Sequence, residues 1–337
     1  MLGRASERSG SLSEVRAETP NGHRELPLVR REASIVSPLR YPGGKRRLAG
    51  FVAEAIRLNS LQPCLFVEPF AGGASVALQL VKDRLVERIA LGEKDPLVAS
   101  FWKVVFQDSE WLVERVQNVK VDLATWDQFK QGSFTSTRDQ ALACLFLNRT
   151  SFSGILAATA GPIGGRQASS KYSIDCRFPV DTLVRRIREA AALADRVEFV
   201  ANCDWRETLR RIAKRGMKRD EVFYYFDPPF YQKAHRLYSH FFSDRQHRAL
   251  RDKVLSMPSP WLLSYDPCAP IIHLYSQNGC SPRRLELLYS TAPRATQAKA
   301  EELIVSNLAA LPSATRLWRS AKEWQVGCQP VARGGRA

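Results

Sequence analysis

CLFVEPFAGGASVALQLVKDRLVERIALGEKD, residues 64–95, decides the fold. Residues 64–69 are a short apolar run that reads as a strand. The turn Phe70-Ala71-Gly72-Gly73 follows, and 74–80 read as a helix. Residues 88–92 form a second strand, which runs into the acidic Glu93-Lys94-Asp95. A strand, a glycine turn, a helix, a strand and an acid in that order open a doubly wound α/β sheet. Further strands are expected at 197–200, 222–226 and 300–307.

Around this unit the chain divides by composition. Residues 1–33 are polar, mixed in charge and poor in aliphatics, so they read as a disordered arm. Residues 34–102 and 196–325 carry the sheet. Residues 103–195 change character, with helical stretches such as WLVERVQNV and RDQALACLFLNRT broken by a glycine-rich loop at 161–166. This segment reads as a mostly helical insertion, and 326–337 as a flexible tail. No internal repeat is visible.

The 337 residues carry 50 basic and 34 acidic side chains, a net charge of +16. That excess points to a polyanionic partner, nucleic acid above all. No apolar stretch reaches the roughly 18 residues of a membrane span. The N-terminus has no apolar core of a secretory signal. Seven cysteines are scattered without a CxxC pair, which argues against a zinc cluster or a disulfide framework and fits a reducing cytoplasm. No metal is expected. WRETLRRIAKRGMKR, 205–219, has seven basic residues and one acid. Its plain reading is a solvated amphipathic helix packed on the sheet.

Two segments carry chemistry. In FVEPFAGG, glycines after a strand let the backbone approach a ligand at a helix N-terminus. The spacing is not GxGxxG, so a dinucleotide is poorly supported. Glu93, 21 residues beyond Gly72, is placed to accept the two hydroxyls of a ribose. Glu68 lies on the turn, able to accept from a cationic or amino group. Upstream, Arg40-Tyr41-Pro42-Gly43-Gly44-Lys45 is a close-approach loop, though not a Walker A loop.

The second segment is Asp227-Pro228-Pro229-Phe230, after the apolar run Val222-Phe223-Tyr224-Tyr225-Phe226. Prolines donate nothing to a ladder, so the strand stops and Asp227 sits at its carboxyl end. An exocyclic amine on a nucleobase is a poor nucleophile until its hydrogens are bonded away. The Asp227 carboxylate and the Pro228 carbonyl would be the two acceptors, fixed in advance by the proline kink. Phe230 would stack on the base, which must leave its duplex to get there.

Taken together, RYPGGK at 40–45, FVEPFAGG at 66–73 and DPPF at 227–230 resemble the Dam-like (D12 class) DNA adenine N6-methyltransferases, over about 35–310. The resemblance implies a Rossmann-like methyltransferase sheet, S-adenosylmethionine as cofactor and double-stranded DNA as substrate. It implies Tyr41 and Lys45 beside the methyl donor, and Glu68, Phe70, Ala71 and Gly72 in its pocket. Glu93 would hold the ribose and Asp204 would lie against the cofactor adenine. Residues 103–195 would be the DNA target-recognition insertion. Within it Asn148-Arg149-Thr150-Ser151 resembles a family segment near DNA, which puts Asn148, Arg149 and Ser151 there. A cognate restriction endonuclease is a further implied partner. Phe230 stands where tyrosine is commoner, and Ser153 where the family often has asparagine. The divergence of 155–165 leaves the recognised sequence open.

Other chemistries stay open on the residues alone. Cytosine C5 methylation needs a cysteine nucleophile. Cys64 and Cys268 both follow prolines, but Cys64 begins the glycine-motif strand, where packing is its plain role, and Cys268 has no adjoining glutamine-rich motif, so both are discounted. RNA adenine methylation shares the same base-level chemistry. A DNA-binding relative without catalysis would lack cofactor binding.

Overall fold

The computed structural model describes residues 34–40, 45–167, 171–232, 241–276, 282–288 and 299–317. The expected arm at 1–33, the loop residues Tyr41, Pro42, Gly43 and Gly44, and the tail at 326–337 lie outside the described residues.

Seven strands form one sheet: β1 Leu65–Glu68, β2 Arg88–Glu93, β3 Val197–Asn202, β4 Val222–Phe226, β5 Trp261–Tyr265, β6 Arg283–Leu288 and β7 Lys299–Ser306. Their order is β3-β2-β1-β4-β5-β7-β6. Strands β1 to β5 are parallel, and β7 runs antiparallel between β5 and β6. The chain steps outward from β1 to β3, then returns to lay β4 on the other side of β1. The order therefore reverses between β1 and β4, the kind of crevice where open α/β sheets hold ligands.

Strand β4 has no polar alternation because both of its faces are covered. Phe223 and Tyr225 join Phe66 in one core, while Val222, Tyr224 and Phe226 join Leu65 and Val67 in the other. The period of two sends neighbouring residues to opposite layers. The first layer holds α1 Leu48–Leu58, α2 Ser75–Lys82, α3 Pro96–Gln107, α4 Ser109–Asn118, α5 Leu123–Gln131, α6 Thr137–Thr150 and α7 Val180–Ala191. The second holds α8 Trp205–Ala213, α9 Asp244–Leu255 and α10 Ala269–Ser276.

Helix starts follow local chemistry. Asp95 accepts the Leu97 N–H, with Pro96 in the first turn of α3. Ser136 caps α6 and Asp204 caps α8 in the same way. Helix α8 is amphipathic as read: Trp205, Leu209 and Ile212 pack on the sheet, and its arginines face outward.

Helices α4 to α7 lie between β2 and β3, where the sequence suggests an insertion. Leu112, Phe146, Leu183 and Ile187 from these helices share one core with Phe66 and Phe223 of the sheet. The region thickens a layer of the sandwich. A boundary at 103 would fall inside α3, a helix that contacts β2, β3 and α6.

Candidate functional site

Parallel strands end on one edge, and here each ends on an acid. Glu68 closes β1, Glu93 closes β2, and Asp204 follows β3 by two residues. Asp227 follows β4 directly, and Asp266 follows β5. Strand β7 arrives from the opposite direction. Its Leu303 pairs with Tyr265 at the end of β5, which sets Glu302 on the same edge.

Asp227 is held by two side chains. Its Oδ1 lies 3.2 Å from Lys45 Nζ and accepts from Ser264 Oγ at 3.0 Å. Lys45 also donates to Glu302 Oε1 at 2.7 Å, and Tyr225 Oη lies 2.8 Å from Ser264 Oγ. Lys45 and Glu302 are buried, whereas the Asp227 side chain keeps 26% of its surface open. Burial pushes the Asp227 carboxyl above the usual range, and Lys45 and Ser264 pull it back. Phe230 is buried with its ring centroid 5.1 Å from Lys45 Nζ, a cation–π contact. Beyond it, Asp266 accepts the N–H of Tyr231 at 2.8 Å and of Gln232 at 3.3 Å. The kinked turn is thus held by lysine and serine at its start and by a carboxylate at its end. Pro228 is buried beneath it and Pro229 half-buried.

The glycine turn sits on the adjacent strand end. Glu68 accepts the Ala77 N–H at 3.0 Å, closing the first turn of α2. Burial pushes its carboxyl up to about 8; the Ala77 bond opposes this and the Asp227 charge adds to it. Glu93 accepts the N–H of Gly72 and of Asp95, each at 2.9 Å, and burial pushes it up to about 7. The carbonyl of Gly72 accepts from Trp102 Nε1 at 2.8 Å, and Ala71 N–H bonds to Gly92 O at 2.9 Å. The turn is therefore tied to β2 and α3 on both sides of the Gly72 peptide. Ala71 is buried, while Phe70 meets Phe242 edge-on at 5.8 Å.

Strands β1 and β4 are neighbours, with Val67 opposite Tyr224. That pairing brings Glu68, Phe70, Ala71 and Gly72 to the side of Asp227, Pro228, Pro229 and Phe230. Lys45 belongs with this group, against the Asp227 carboxylate. Tyr41 lies outside the described residues. Asp204 stands at the end of β3, two strands from β1, where its Oδ1 accepts the Glu207 N–H at 3.0 Å.

Asn148, Arg149 and Ser151 are buried, and their side chains are occupied within the protein. Asn148 Oδ1 accepts the Arg40 N–H at 2.7 Å, and its Nδ2 donates to the carbonyls of Arg40 and Gly154. Arg149 donates to the Pro38 carbonyl, and Ser151 Oγ accepts from Trp126 Nε1 at 3.1 Å. Gly154 is required here: its φ is +76°, and a Cβ would meet the Arg40 carbonyl at 2.3 Å. In this structure these residues clamp the 38–40 segment, with Asn148 and Ser151 fully covered and the Arg149 Nε left without a hydrogen-bond partner.

Four participants carry no motif. Ser264, Asp266, Trp102 and Glu302 sit in ordinary apolar stretches. Glu302 shares a face with Ile304, but Glu301 stands beside it in the strand, so the sequence does not mark which of the two acids faces inward.

A search of individual curated proteins found no match. The family described as D12 class N6 adenine-specific DNA methyltransferase matches residues 41–290, from the loop before Lys45 to just past β6. That span takes in the glycine turn, the Asp227 turn and the helices between them, and the chain belongs to this family.

Proposed function

We propose that the protein is a site-specific enzyme that methylates N6 of an adenine flipped out of duplex DNA, with α4 to α7 and the 151–167 loop as its target-recognition segment. The observation that carries the reading is the Asp227 turn, held open by Lys45, Ser264 and Asp266, beside a glycine turn on the neighbouring strand.

Members of the family take the methyl group from S-adenosylmethionine. The donor set here fits that molecule. It bears a cation, a ribose diol and an adenine amino group, and the edge of β1 to β3 offers the acids Glu68, Glu93 and Asp204. Glu93 would take the ribose hydroxyls, Asp204 the adenine edge, and the Phe70–Gly72 turn would wall the pocket. Bound there, the cofactor would supply an electrophilic methyl carbon, the electron pair of its broken S–C bond remaining on sulfur as a neutral thioether.

The protein supplies the rest. Asp227 carboxylate accepts one hydrogen of the adenine amine and the Pro228 carbonyl accepts the other. With both bonded away from the ring plane, the nitrogen lone pair is freed to attack. Lys45 and Ser264 keep Asp227 ionised and aimed while that happens. Once the N–C bond has formed, the amine nitrogen sheds one proton, which the Asp227 carboxylate is placed to receive. Phe230 forms one face of the base pocket, and its burial beside Lys45 needs no hydroxyl there.

The test is expression in a host free of DNA methylation, followed by single-molecule sequencing of the genome. N6-methyladenine in one short sequence context is the expected result. Asp227→Ala should erase that mark while cofactor binding by calorimetry stays nearly intact. Unmodified adenine in the wild type, or an undiminished mark with Asp227→Ala, would overturn the proposal.

A further inference from the structure

Many arginines among the described residues have acids to face. On and beside α8, Arg206 lies 3.9 Å from Asp204, Arg210 and Arg211 lie 3.1 Å and 3.2 Å from Glu207, and Arg215 pairs with Glu198. On α7, Arg185 pairs with Glu189 at 2.7 Å. One group breaks this pattern. Arg40, Arg149, Arg177 and Arg186 gather where the clamped 38–40 segment meets the end of α6 and the start of α7. Asn148 bonds the Arg40 peptide, Arg149 follows it on α6, and the ring of Phe178, next to Arg177, lies 5.8 Å from that of Phe146. Burial, then the charges of Arg186, Arg40 and Arg177, lower the Arg149 guanidinium from its ordinary range.

Among the described residues none of the four has an ion pair. The Nε atoms of Arg149 and Arg186 are buried without any hydrogen-bond partner, and Arg149 is 4% exposed. Arg40 feels the Cys176 thiol, and Arg186 feels Glu189, which is already bonded to Arg185. Guanidinium groups held together in a partly buried place repel one another, and each buried N–H without an acceptor adds to the cost. An anion with several oxygens removes both costs at once. Arg177 is exposed, and Arg40 and Arg186 are half-buried, so the cluster opens to solvent.

We propose that Arg40, Arg149, Arg177 and Arg186 form a binding site for a backbone phosphate of the DNA substrate. This rests on the function proposed above and adds to it a sequence-independent anchor. Phosphate contacts fix register without reading bases. The same Asn148–Arg40 clamp fixes the 38–40 segment, so the anchor and that segment are held by one element.

The test uses the full chain and a random-sequence 20-base-pair duplex, with binding followed by fluorescence anisotropy across a salt titration. Arg177→Gln and Arg186→Gln should each lower the slope of log K against log salt by about 0.9, the loss of one phosphate contact. Affinity at low salt should fall on the order of tenfold. Arg185→Gln, which removes the same charge from the same helix, should leave the slope unchanged. Equal losses for Arg185 and Arg186 would mean diffuse attraction and would overturn the site. So would wild-type slopes in both variants when the wild type itself methylates DNA. A wild type that binds cofactor but no duplex would instead overturn the functional reading, and this inference with it.

Discussion

Lys45→Met tests how the Asp227 carboxylate is kept charged. The two groups lie 3.2 Å apart. At an effective dielectric near 20, that separation corresponds to an attraction of about 5 kcal/mol. Part is offset because Lys45 is shared with Glu302 at 2.7 Å. Opposite charges at this range move a carboxylate titration by about 1–3 pH units. The sign is fixed: burial raises the Asp227 carboxyl and Lys45 lowers it, so losing Lys45 raises it further. The acid limb of the methyl-transfer rate should therefore move to higher pH by that order. At a fixed pH below the limb, a two-unit move lowers the ionised fraction about 100-fold. The assay is single-turnover transfer to a duplex carrying the mapped site, from pH 5.5 to pH 10, with melting and cofactor affinity as controls. Lys45→Arg keeps the charge and should keep the limb in place. Removing one partner of a buried pair destabilises by about 3–5 kcal/mol. If Lys45→Met does not fold, Glu302→Gln reads the same coupling with the opposite sign, because Lys45 is then left to Asp227 and the limb moves down. A loss of rate in Lys45→Met that is equal at every pH would refute the reasoning.

Other outcomes follow from the site and its surroundings. His247 is buried with Nδ1 2.6 Å from Tyr265 Oη, and burial lowers its pKa to about 4. The unfolded chain takes up this proton near 6.5, so the stability it contributes is full above that value and is lost as pH falls through 4; urea titrations of His247→Gln should show a flatter dependence in that window. Glu68 has the reverse sign, since its folded form holds a proton up to about pH 8 that the unfolded chain releases near 4.5. Glu68→Gln should therefore gain in melting temperature over the wild type between pH 5 and 8, and a constant difference would contradict the buried carboxyl. Trp102→Phe removes the 2.8 Å bond to Gly72 O, and cofactor affinity by calorimetry should weaken on the order of tenfold.

What could be read from the chain was local. An apolar run, two glycines and an acid 21 residues later identify β1, α2, β2 and Glu93 because each signal lies within a short stretch of its cause. The Asp-Pro-Pro kink is legible for the same reason. The partners of Asp227 are not. Lys45 and Glu302 are 257 residues apart, and nothing in either segment announces the other. Ser264 and Asp266 depend on β5 lying beside β4, a pairing that apolar content alone does not specify. Asn148 and Arg149 are a different case. The resemblance puts them near DNA, and nothing in the sequence shows that the Arg40 peptide and the Pro38 carbonyl need hydrogen-bond partners, which these side chains turn inward to meet.

Glu302 sits on β7, a strand made after β5 and β6 that is slotted between them. A ribosome has to release the chain past Ser306 before the lysine near its beginning meets its second carboxylate. Until then β5 has an open flank, and the acid meant to grip the amine lacks its full setting. A growing polypeptide with both recognisable motifs already made thus still lacks the carboxylate that shares Lys45 with Asp227.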